Sequence, residues 1–145
     1  MRYKNGFTLI ELLITVSIVT IFSIIAFPSF SHLIHERKLA VSLKELSMTL
    51  MDARSEALTI RQDVEVKLTS TGRNTFNIRN WNPSDQHINL QSGSAAVVTF
   101  EPAGSVRQFN EESMTFIICS SVLKKSKSLQ LTRMGSLTIL ADGVC

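Results

Sequence analysis

Residues 7–30 read FTLIELLITVSIVTIFSIIAFPSF, and this stretch decides what the rest of the chain can be. It carries one ionisable side chain, Glu11, in 24 positions. A run of that length crosses a hydrocarbon core as a helix of about 20 residues. Arg2 and Lys4 stand before it with no acidic residue between them and the run, so the positive-inside bias predicts a cytoplasmic N-terminus and an exported body. An ordinary secretory signal would place its small-residue cleavage site after the apolar stretch. Here the stretch closes on Pro28 and Phe30 and leads through His32 into a helical pattern, while the small residue, Gly6, stands in front of it. A cut at Gly6 would keep the apolar helix in the mature protein.

Glu11 is the feature that a plain membrane anchor leaves unexplained. A carboxylate at mid-membrane costs about 2.5–3.5 kcal/mol on insertion scales, and somewhat less near a helix end. Cleavage after Gly6 would create a partner for it. The new amine of Phe7 lies four residues before Glu11, and the two can pair within one subunit or between neighbours. Pro28 removes a helix bond to the Ile24 carbonyl, which predicts a kink or a loosened turn there.

The string KNGFTLIELLITVSIV, Lys4 to Val19, resembles the type III signal of type IV pilins, with Gly6 at the cleavage position, Phe7 as first mature residue and Glu11 as fifth. The resemblance implies cleavage by a prepilin peptidase, N-methylation of Phe7, and a role for Glu11 in guiding insertion into a growing filament. It also implies other pilins or pseudopilins and an inner-membrane assembly platform as partners. The implied location is the inner membrane, crossed once with the head in the periplasm, and then a pilus or pseudopilus.

Beyond the apolar run, Leu39, Leu43, Leu46, Leu50, Ala53, Ala57 and Ile60 recur at spacings of 4, 3, 4, 3, 4 and 3, one face of a helix continuing the anchor. As a single helix, residues 7–60 would extend about 80 Å. The C-terminal half of that stripe can pack on the chain's own head; the first half has only lipid or other subunits to cover it. After Ile60 the period changes to two. Val64, Val66 and Leu68 alternate, STGRN turns around Gly72, and Phe76 and Ile78 alternate on the return, which predicts a hairpin. Further strands are expected at Ile88–Leu90, Ala96–Phe100, Val106–Phe109, Met114–Cys119, Leu129–Thr132 and Leu137–Leu140. Pro102-Ala103-Gly104, the KKSKS run and Gly135 separate them.

The expected fold class is α+β, a long N-terminal helix on a small antiparallel β-sheet head. Its regions are a leader (1–6), a membrane and filament-packing helix (7–30), an amphipathic continuation (31–60) and a β-rich head (61–145). This arrangement is similar to the GspH/FimT family of minor pilins and type II secretion pseudopilins. The VTFEPAGSV turn, ICSS at Cys119 and the run from Gly135 to a terminal Cys145 carry that narrower likeness. It implies a low-abundance structural subunit of an initiating or tip complex, and leaves pilus and secretion machine both open.

At 145 residues the chain has room for one anchor and one head. Its formal charge of +3 falls to 13 basic against 12 acidic residues once Arg2 and Lys4 are removed, so composition gives no case for a nucleic-acid partner. Cys119 and Cys145 most simply pair with each other in an exported domain, stabilising the head by roughly 3 kcal/mol on the chain-entropy model. His32, His35 and Glu36 share a helical face, but no third and fourth ligand follows at a readable spacing, so no metal or other cofactor is expected. No nucleophile elbow, phosphate loop or paired-acid motif surrounds any Ser, Asp or His, which argues against an enzyme. Lys124, Lys125 and Lys127 form the compact basic cluster, with Arg107 and Arg133 as candidate neighbours in the fold. Some members of the family bind DNA for uptake through a Gly-Arg-x-Arg motif. The matching stretch here is Gly135-Ser136-Leu137-Thr138, so both arginines are missing. DNA capture, the alternative function, would rest on the lysine cluster and Arg133.

Overall fold

In the computed structural model the described residues are 7–145, excepting the side chains of 24–29. The helical period belongs to one element, α1 (Leu9–Ile60). Arg61 follows with φ 54°, a left-handed residue that closes the helix C-terminus. The chain divides into two compact units, 1–34 and 35–145, and the second holds the folded core.

Within 35–145, Leu39, Leu43, Leu46, Leu50, Ala53 and Ala57 are all buried, as the spacing predicts, and Ile60 is half-buried. Eight short strands follow the helix: β1 (Val64–Leu68), β2 (Ile78–Trp81), β3 (Ile88–Leu90), β4 (Val97–Phe100), β5 (Thr115–Ser120), β6 (Lys125–Leu131), β7 (Leu137–Ile139) and β8 (Gly143–Val144). They form two sheets. One has the order β2-β1-β4, and the other runs β3-β5-β6 with both β7 and β8 on the far edge of β6. Alternation assigns the faces: Val64, Val66 and Leu68 of β1, and Phe116 and Ile118 of β5, turn inward to join Val98, Phe100, Leu129 and Leu131 against the helix. Truncating any of the larger ones to Ala would cost about 2–5 kcal/mol.

Three local expectations are corrected. The residues after Gly72 do not return as a hairpin: β2 pairs β1 in parallel, with Glu65 opposite Ile78 and Leu68 opposite Trp81. Thr69, at φ 57°, turns the chain out of β1, and residues 70–77 carry it back before β2 sets off again in the same direction. The stretch Val106–Phe109 forms no strand; it contributes one isolated bridge, Val106 to Phe100, and Gln108 at φ 52° breaks the extended path. The lysine run is not a connecting loop beyond Lys124. Lys125 to Ser128 lie inside β6, paired across to β5, and Ser126 is buried beside Gly143 of β8.

The turns at Gly104 and Gly135 meet on α1. Arg54 Nε donates to the Gly104 carbonyl at 3.1 Å. Gly135 has φ 76°, and a Cβ there would overlap the Gly104 carbonyl and lie 2.7 Å from Arg54 Nε. Two turns about thirty residues apart in sequence are therefore clamped on one helical side chain.

Ion pairs tie other loops to the helix. Lys38 Nζ lies 2.7 Å from Asp85 Oδ2, and Lys125 Nζ lies 2.6 Å from Glu36 Oε1. The Lys38 hydrogen bond, helped by the His87 backbone N–H, holds the Asp85 carboxyl below its ordinary value of 3.8. The Ser105 hydroxyl, then Arg107, do the same for Glu101 relative to 4.5. Depressed folded pKa values give stability that is fully present above the ordinary values and is lost as pH falls through the folded ones. Melting temperature should therefore drop with acidification below about pH 4.5. In the Asp85→Asn/Glu101→Gln double variant that acid limb should be shallower, as read by circular dichroism. Glu101 is partly exposed and Asp85 is half-buried beside Lys38 at the surface, so the effect is modest.

Candidate assembly site

The N-terminus of α1 is built by a reciprocal cap. Thr8 Oγ1 accepts from the Glu11 backbone N–H at 3.3 Å, and Glu11 Oε2 accepts from the Thr8 backbone N–H at 3.4 Å. The Thr8 hydroxyl also reaches Glu11 Oε2 at 3.4 Å. This is the capping box, Thr-x-x-Glu, in which the first and fourth residues satisfy each other's orphan amides. The carboxylate thus sits at the positive end of the helix dipole. Sequence reasoning assigned Glu11 a partner in the Phe7 amine and missed Thr8, although the T-x-x-E spacing immediately before an apolar run was the available signal. Phe7 is 83 % exposed. Gly6, the expected cleavage position, and Pro28, the expected kink, lie outside the described residues, although the α1 assignment continues through 28.

From Leu9 to Ser23 every residue of α1 is exposed, Leu9, Ile10, Leu12, Leu13, Ile14 and Val16 among them. Water does not favour that much apolar surface on one element. Counting only the described residues, no helix is long and apolar enough to cross a membrane; the apolar run of the sequence continues through 24–29, whose side chains are excepted from the description. A second apolar line lies farther along α1. Val41, Met48, Met51 and Leu58 are exposed, spaced 7, 3 and 7. That is the spacing of a coiled-coil seam; Val41 and Met48 fall on the side of the helix away from the buried leucines, while Leu58 borders the Gly104 turn.

The remaining candidates are placed as follows. Cys119 on β5 and Cys145 are joined by a disulfide, with Cα atoms 5.8 Å apart. It fastens the tail that carries β8. Lys125 pairs with Glu36, and Lys127 Nζ reaches both oxygens of Asp142 at 2.8 and 2.7 Å. Lys124, at φ 55°, is exposed in the turn between β5 and β6. Arg133 is exposed in another turn, near enough to Glu101 to help lower its pKa, and Arg107 bridges Asp63 and Glu101. The structure therefore does not gather Lys124, Lys125, Lys127, Arg107 and Arg133 into one uncompensated patch. His35 lies edge-on to the ring of His87, centroids 6.0 Å apart. Among the described residues no group of three or more His, Cys, Asp and Glu side chains is placed to hold a metal ion.

Comparison with known proteins adds two findings. Residues 1–27 match the prokaryotic N-terminal methylation motif. The fold is similar to that of the type IV minor pilin FimU of Pseudomonas aeruginosa strain PAO1, with a TM-score of 0.57 and 17 % sequence identity, covering 73 % of this chain and 90 % of that one. No curated protein matches the chain in sequence. A prepilin-type methylation motif thus overlaps the start of a long helix, and the helix with its β-sheet head has a fold similar to that of a type IV minor pilin.

Proposed function

We propose that this pilin-like chain is a minor structural subunit of a type IV pilus or a type II secretion pseudopilus, held in the inner membrane by residues 7–30 until it joins an initiating or tip complex. The observation that carries the reading is the exposed apolar surface of α1 from Leu9 to Ser23, headed by a capped carboxylate and joined to a head of pilin-like fold. In a filament that surface is covered by the helices of other pilins, and the line of Val41, Met48, Met51 and Leu58 extends the packing along the spine formed by 31–60. The head, 61–145, stays outside the helical core.

On this reading residues 1–6 are a leader. A prepilin peptidase cuts between Gly6 and Phe7, because Gly6 presents no side chain to that enzyme, and the freed Phe7 amine is methylated. Intact-mass spectrometry of the membrane-extracted protein is expected to give a chain beginning at methylated Phe7. A chain still beginning at Met1 in filament-producing cells would overturn the assignment.

DNA capture is the less supported reading. Of Lys124, Lys125, Lys127 and Arg133, two are spent on Glu36 and Asp142, so few counterions would be released on contact with a phosphate backbone. Duplex binding is expected to be weak or absent at physiological salt. Micromolar affinity that collapses with added salt and in the Lys124→Ala/Lys125→Ala/Lys127→Ala variant would promote the receptor role.

A further inference from the structure

The unit 35–145 begins at His35, and the segments gathered around its first four residues make up one end of the head. His87 meets His35, Lys125 pairs with Glu36, and Asp85 pairs with Lys38. The turn between β5 and β6 is drawn in by Ser121 N–H donating to the His87 carbonyl at 2.9 Å, and the tail by Cys145 N–H donating to the Lys124 carbonyl at 3.2 Å. This end therefore collects Arg37, Lys38, Lys124 and Lys125 against Glu36 and Asp85. Both acids already have lysine partners, while Arg37 and Lys124 are exposed and carry no ion pair among the described residues. Two apolar side chains stand out beside them: Val122 in the turn is 48 % exposed and Val144 in the tail is 83 % exposed.

Phe30 precedes His35 by five residues, at most about 18 Å of chain in any conformation. We propose that, while the subunit is held in the membrane, this end of the head docks on an anionic phospholipid surface. Arg37 and Lys124 meet headgroup phosphates, and Val122 and Val144 reach into the interface. The inference rests on the reading of 7–30 as a membrane anchor. A cation near an anionic leaflet strengthens attachment about fivefold, and the attraction fades within a Debye length of about 8 Å. Docking would hold the head ready at the membrane, and withdrawal into a filament would release it.

The test is hydrogen exchange on the full chain in nanodiscs of phosphatidylcholine alone and of phosphatidylcholine mixed with phosphatidylglycerol. Amides of 121–125 and 143–145 are expected to exchange on the order of tenfold more slowly in the mixed lipid, the difference disappearing with added salt and in the Arg37→Glu/Lys124→Glu variant. Equal rates for the wild-type chain in the two lipids would overturn the proposal, whether or not the variant folds. A chain that fails to enter either nanodisc would overturn the anchor reading itself, and the docking with it.

Discussion

Gly135→Val is expected to lower the melting temperature of the head by more than about 10 °C. Two independent costs add at this position. The backbone sits at φ 76°, in the left-handed region where a β-branched residue is strained by roughly 1–3 kcal/mol. The new Cβ would also run into the Gly104 carbonyl and the Arg54 side chain, and overpacking of this kind costs about 1–3 kcal/mol more. Backbone atoms of one turn cannot yield without shifting the other, because Arg54 holds Gly104 through its carbonyl. Gly93 provides the control. It has φ 107° but nothing within 4 Å of its would-be Cβ, so Gly93→Val carries the backbone cost alone. Equal losses at the two positions would show that the contact between the turns and α1 contributes nothing.

The parts of the fold governed by local period were legible in the sequence. The leucine stripe from Leu39 to Ala57 is buried as spaced, and Ile88–Leu90 is a strand with those bounds. What alternation cannot convey is direction. Val64, Val66 and Leu68 announce an inward face, yet nothing in them says whether β2 runs with β1 or against it, and a nine-residue connection, 69–77, permits either. The lysine run misled for a different reason. Its polarity is that of a loop, but Lys125 and Lys127 are neutralised by Glu36 and Asp142, residues far away or beyond the next strand, and Ser126 is covered by β8. Such long-range pairing has no local signature. In the candidate site, Glu11 could be singled out because a charge in an apolar run is costly, while its cap by Thr8 went unread. That cap now supplies a rival explanation of the residue.

The two explanations of Glu11 make different demands. As a cap, it needs an acceptor that reaches the Thr8 amide, and a glutamine serves in a capping box as well as a glutamate. As a partner for the Phe7 amine of a neighbouring subunit, it needs the negative charge. Glu11→Val removes both and, if residues 7–30 are the proposed anchor, takes a charge out of the apolar segment, so insertion should persist or improve. Losing the cap costs the helix only about 1 kcal/mol, far too little to expel a long apolar segment from lipid. The decisive comparison is the amount of subunit in sheared filaments relative to the membrane pool for wild type, Glu11→Val and Glu11→Gln, in cells whose other subunits are normal. A filament subunit that assembles through the Glu11 charge predicts that both variants stay in the membrane and are missing from the filaments; incorporation of both at the wild-type ratio would contradict it.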